Sequence, residues 1–139
     1  MPKPTIIQSA AIIFDSEALS RLIAGDTHLR AVVDIAISNN RRIKIAAPTI
    51  VEATHRKTDL AALNWVLSRI DVVPIDQQLA VAAAKLLIAA NKHGHQYAID
   101  ALVCAVALHQ VGGMPTVYTL DPDDFDLLAG DSLEIIPLR

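Results

Sequence analysis

Tyr97-Ala98-Ile99-Asp100-Ala101-Leu102-Val103-Cys104-Ala105-Val106-Ala107-Leu108 is apolar at almost every position, with Gly94 before it and Gly112-Gly113 after it. The stretch is too short to span a bilayer. A helix that is apolar all round belongs in the middle of a domain. Asp100 is its one charged residue. Positions 100, 103, 104, 107, 108 and 111 share a helical stripe, and the other five are Val, Cys, Ala, Leu and Val. A carboxylate there costs several kcal/mol unless a metal, a paired base or loss of its charge compensates it.

Outward from this helix, short apolar runs alternate with helical periodicity. Ala10-Ala11-Ile12-Ile13-Phe14 ends at Asp15 and predicts a strand buried on both faces. Asp15 or Ser16 then caps a helix through Gly25 with Leu19, Leu22 and Ile23 inward. Asp26 or Thr27 caps a second, whose inner face is Leu29, Val32, Val33, Ala36 and Ile37 and which ends at Asn39-Asn40. Ile43-Lys44-Ile45-Ala46 predicts a second strand, and Pro48 opens a helix carrying Ile50, Val51, Glu52 and Ala53. Asp59 starts another helix with Leu60, Leu63 and Leu67 inward and Trp65 at its margin. A third strand covers Ile70 to Ile75, and Asp76 caps an Ala/Leu-rich helix to about Asn91, followed by the turn Lys92-His93-Gly94-His95. Beyond the apolar helix, Thr116 to Thr119 is a fourth strand. Asp121-Pro122-Asp123-Asp124 starts a short helix, and Leu133 to Pro137 is the closing strand.

This alternation predicts an α/β fold: a three-layer α/β/α sandwich around a mainly parallel sheet of about five short strands. The 139 residues suit a single domain over residues 1–139, with residues 1–9 as an N-terminal extension. An apolar fraction of 53% with 19% charged residues excludes disorder as a description of the chain. The N-terminus, with one basic residue and no sustained apolar core, does not read as a signal peptide. The lone Cys104 reads as a small buried hydrophobe, and a chain with no intramolecular disulfide is expected in the cytoplasm. A net charge of −3 argues against nucleic-acid binding by bulk electrostatics. It leaves open a nuclease, in which metal ions supply positive charge where acidic residues converge.

In parallel sheets, sites form outside the carboxyl ends of the strands. Asp15, the segment before Glu52, and Asp121 all follow predicted strand ends. Each also has a structural reading. Glu52 can pair with Arg56 one turn later. Asp121 can cap its helix, with Pro122 at the first position and Asp123 and Asp124 on the positive helix end. Asp15 can be a cap. Asp100 is explained least well in this way, because a first-turn dipole gain of about 0.3–1 kcal/mol does not offset burial on an apolar stripe. Carboxylates without Cys or clustered His are a hard-oxygen set, suited to Mg2+ or Mn2+ rather than Zn2+. His93-Gly94-His95 reads as a solvated loop rather than a metal pair. No glycine motif cradles phosphate after any strand, and Ser16 and Cys104 lack a His partner for nucleophilic hydrolysis.

The order of these motifs resembles the PIN-domain family, and within it the VapC-type toxins of toxin–antitoxin pairs. The resemblance rests on Ile12-Ile13-Phe14-Asp15-Ser16, on Pro48-Thr49-Ile50-Val51-Glu52 read as a Pro-started helix with a buried Glu, on the Asp-headed helix from Tyr97 to Ala105, and on Tyr118-Thr119-Leu120-Asp121-Pro122-Asp123-Asp124-Phe125. It implies a PIN-like fold and an Mg2+- or Mn2+-dependent endoribonuclease with the acidic quartet Asp15, Glu52, Asp100 and Asp121. It also implies a homodimer and inhibition by a small antitoxin protein. Asp123 competes with Asp121 for the fourth place, and Glu17 stands where the family usually has a small polar residue.

On this reading Asp15 and Asp100 ligate metal directly, and Glu52 and Asp121 complete the shell or orient bound water. The hydroxyls of Ser16 and Thr119, and the extra carboxylate of Glu17, support them from behind. Arg41, Arg42, Lys44, Arg56 and Lys57 are the cations available to an RNA substrate, and equally read as solvated surface charge. Two alternatives stand beside it. One is a catalytically inactive PIN-like module that binds protein or RNA. The other is an acidic-pocket phosphotransfer fold: a response-regulator receiver needs a Lys at a late strand end where this chain has Thr119 and Leu120, and an Asp-nucleophile phosphatase needs Asp where Glu17 stands.

Overall fold

Ile12–Phe14 (β1), Ile43–Ala46 (β2), Asp71–Val73 (β3), Thr116–Thr119 (β4) and Glu134–Pro137 (β5) form one sheet in the order β3-β2-β1-β4-β5, with every pairing parallel. The structure, a computed structural model, describes residues 10–139. The N-terminal extension expected over residues 1–9 lies outside the described residues. The strands are joined by α1 (Ser16–Ile23), α2 (Thr27–Ser38), α3 (Ala47–Ala53), α4 (Leu60–Leu67), α5 (Gln77–Ala90), α6 (Gly94–Leu108) and α7 (Pro122–Ala129), with a 3-10 turn at Gly130–Ser132. The sandwich is the one expected from the sequence, and its sheet is wholly parallel.

β1 is central and buried on both faces, because its alternating side chains feed two cores. Ile12 and Phe14 join Leu19, Leu22, Leu29 and Val66 from α1, α2 and α4. Ile13 joins Val117, Phe125 and the run Val103–Ala107 of α6 on the other side. Each of Ala101 and Val103–Ala107 is fully buried, so α6 is the interior helix its composition demanded. Among the described residues no helix is long and apolar enough to cross a membrane.

Helix starts follow cap chemistry. Asp15, Asp26, Asp59 and Asp76 each accept a first-turn amide, and Asn91 ends α5 in the left-handed conformation at φ 54°. Three details differ from the sequence reading. Leu60 is 67% exposed, whereas Leu63 is buried as expected and Val66 is buried with it, since Leu60 is the first residue of α4, at the end of the helix rather than along its buried face. Ile37, in the last turn of α2, is 47% exposed for the corresponding reason. Helix α6 begins at Gly94, so Asp100 is its seventh residue and does not head it.

From β1 the chain winds one way to β2 and β3, then returns to the other side of β1 for β4 and β5. The order therefore reverses between β1 and β4, which opens a crevice at their carboxyl ends. Asp15 follows one of those strands and Asp121 follows the other closely.

Candidate metal centre

Asp15 directly follows β1, at the carboxyl end of the sheet. It is 4% exposed, and both carboxylate oxygens accept backbone amides: Oδ1 from Ala18 at 2.8 Å and Oδ2 from Leu120 at 3.1 Å. One side chain thus caps α1 and ties the β4–α7 connection to the end of β1. Burial pushes its carboxyl up from the ordinary value, while hydrogen bonds from Ala18, Thr119 and Leu120 pull the other way.

The fully buried Thr119 hydroxyl accepts the Asp121 amide at 2.9 Å and sets the start of α7. Asp121 stands at the N-cap position, yet its side chain caps nothing. Its carboxylate converges instead with those of Asp100 and Asp124, one ligand oxygen from each lying within 4.8 Å of the others. Asp121 and Asp124 are three residues apart and share a face at the helix start. Asp123, two residues from Asp121, lies outside the converging set.

Asp100 reaches this point from within α6, half-buried. Six residues past the helix start, it gains nothing from the positive helix end, whose influence is confined to the first turn. Burial pushes its carboxyl from 3.8 up to about 7, followed by the charges of Glu52, Asp121, Asp124 and Asp15.

Glu52 lines the same cavity, of about 310 Å³, with Asp100, Asp121 and Asp124. It is exposed rather than buried, because it lies on the open side of α3. Its Oε1 accepts the Ser16 hydroxyl at 2.5 Å, which links α1 to α3. The pair with Arg56 does not form: α3 stops at Ala53 and places Arg56 beyond the helix. Glu17 stands apart, its carboxylate held by Arg21 Nε at 3.1 Å.

The cations proposed for RNA lie elsewhere. Arg41 and Arg42 precede β2, at the amino end of the sheet and opposite the carboxylates. Arg41 Nε donates to the Ala10 carbonyl at 3.0 Å, Arg42 forks onto Asp71, and Lys44 Nζ donates to Gln110 Oε1 at 2.6 Å. Arg56 and Lys57 are exposed in the turn after α3.

Half-buried Asp100, its charge opposed by burial and by the carboxylates of Glu52, Asp121, Asp124 and Asp15, is poorly compensated by the chain itself. All the converging atoms are hard oxygens, the donor set for Mg2+ or Mn2+. The residues fit such an ion. Asp124 is the site residue that sequence reading assigned only to the helix dipole. Its three-residue spacing from Asp121 across Pro122 was the available signal.

The pH dependence follows from Asp100. Its folded value of about 7 lies above the ordinary 3.8, so the folded chain keeps a proton that the unfolded chain has lost. That contribution is full below about pH 4 and is lost as pH rises to about 7. Without metal, the protein is expected to melt several degrees lower at about pH 8 than at about pH 5.5. Thermal melts of wild type and Asp100→Asn check this, since the variant should lose the pH dependence that this group contributes.

A family model described as the PIN domain matches residues 12–131. Three solved structures share the fold. A chain of VapBC2 from Rickettsia felis, bound to a DNA fragment from the promoter, aligns with TM-score 0.68 at 13% identity, covering 93% of this chain and 99% of that one. DNA-bound VapBC from Salmonella typhimurium gives 0.66 at 16% identity, covering 92% and 98%. FitAcB from Neisseria gonorrhoeae gives 0.61 at 19% identity, covering 90% and 96%. No curated protein matches the chain.

Proposed function

The chain belongs to the PIN-domain family, and from that premise we propose that it is an Mg2+- or Mn2+-dependent endoribonuclease, the toxin of a VapBC-type pair. The observation that carries this is the convergence of Asp100, Asp121 and Asp124 within 4.8 Å at the crevice between β1 and β4. These three residues would hold the ion. A divalent ion held by them would lower the pKa of a bound water and neutralise charge on a phosphodiester. Glu52, oriented by Ser16, borders the same cavity and can accept a proton or orient water. Asp15 acts through position: it holds the backbone of Leu120, and so the approach of Asp121, against the end of β1.

This divides the labour differently from the sequence reading, with Asp124 joining the ligands and Asp15 supporting them. The likeness to VapBC and FitAB structures, several of them DNA-bound, supports a small antitoxin as protein partner; a homodimeric toxin belongs to the same proposal. Cleavage of a labelled RNA that requires Mn2+ and stops on chelation is the expected result. A folded protein that binds Mn2+ and cuts no RNA would instead be a binding module. Calorimetric titration separates the ligands. Asp124→Asn is expected to weaken Mn2+ binding by about tenfold or more, while Asp123→Asn stays within about twofold.

A further inference from the structure

We propose that His95 positions the RNA strand, its imidazole donating a hydrogen bond to a phosphate oxygen held in front of the carboxylate cluster; this rests on the ribonuclease reading above. His95 is the second residue of α6 and is exposed. It lines the same cavity as Glu52, Asp100, Asp121 and Asp124. Its ring nitrogens do not belong to the group of atoms converging within 4.8 Å, so it reaches the cavity without joining the metal-binding oxygens.

A polyanion entering this cavity meets four carboxylates, and ions held by them cannot contact every phosphate along a strand. Donors on the remaining wall are needed, and α6 supplies that wall. Among the side chains lining the cavity, His95 is the one able to carry positive charge; Gln96 and Tyr97 are neutral donors beside it. A neutral imidazole still donates one N–H, so the contact does not depend on its protonation. The same turn is uncapped, since His93 makes no side-chain cap bond, and an open helix start favours an anion further. The paired Arg42 and Lys44 cannot take this role from the amino end of β2.

The test uses the full chain. Wild type, His95→Ala and His95→Lys are compared in KM and kcat for RNA cleavage with Mn2+ and in Mn2+ affinity. Binding of a short phosphorothioate oligoribonucleotide in Ca2+ is followed by fluorescence anisotropy. His95→Ala is expected to raise KM and weaken oligonucleotide binding by about tenfold, the loss of one charge-assisted hydrogen bond. Its kcat and Mn2+ affinity should stay within about threefold of wild type, and His95→Lys should restore binding by returning a donor. RNA binding by His95→Ala within twofold of wild type overturns the proposal, as does a loss that appears in Mn2+ affinity or is not restored by Lys. If wild type itself neither binds Mn2+ nor cleaves RNA, the ribonuclease reading falls and this one with it.

Discussion

Asp100→Asn is expected to lower RNA cleavage by about 10³-fold and to raise the melting temperature of the metal-free protein at about pH 8. The two effects share a cause. Asp100 is pushed up to about 7 by burial and by the charges of Glu52, Asp121, Asp124 and Asp15, so at alkaline pH the folded state carries a charge that its surroundings oppose. Asparagine keeps the size and hydrogen-bonding capacity and removes that charge. It also removes one of the three carboxylates that converge within 4.8 Å. On the proposed function, the site trades stability for the capacity to bind a cation, as functional sites commonly do. Saturating Mn2+ should then stabilise wild type by mass action and the variant far less. Melts at about pH 5.5 and pH 8, with and without Mn2+, and single-turnover cleavage measure the whole pattern. Cleavage by a folded Asp100→Asn protein at the wild-type rate would refute the assignment.

Asp15→Ala is expected to destabilise the protein by about 1–2 kcal/mol. Its two oxygens satisfy amides on two different elements: Ala18 in the first turn of α1 and Leu120 in the β4–α7 connection. Alanine leaves both without that acceptor in a region where the side chain is 4% exposed. A lost N-cap accounts for about 1 kcal/mol and the lost, part-buried Leu120 hydrogen bond for about 0.5–1.5 more. Relief of the buried charge offsets part of this, since burial already pushes the carboxyl up. Asp15→Asn keeps one acceptor oxygen and should cost about half as much. Chemical denaturation of the three proteins gives the free energies. If Asp15→Ala lost activity with no loss of stability, the residue would be a ligand first and a strut second.

Much of the fold was legible in the residues because its signals are local. The apolar run before Asp15, the cap residues Asp26, Asp59 and Asp76, and the uninterrupted apolar helix around Cys104 each act within a few positions. They therefore specify strand, helix start and interior helix whatever the rest of the chain does. The misplaced charge at Asp100 was legible for the same reason. Exposure at Leu60, Ile37 and Glu52 was not, because periodicity marks a face of a helix but not how far the core extends beneath it.

The sequence by itself determined the layers, the elements and a set of acidic residues at strand ends. Which of those residues meet was decided by the order β3-β2-β1-β4-β5, which sets β4 beside β1 and brings Asp121 and Asp124 to Asp100. That order depends on contacts between residues about a hundred positions apart, such as Leu120 on Asp15. Local propensity carries no record of such contacts. The same distance effect tied Asp15 to the Leu120 amide, gave Glu52 to Ser16 instead of Arg56, and put Asp124 rather than Asp123 among the converging carboxylates.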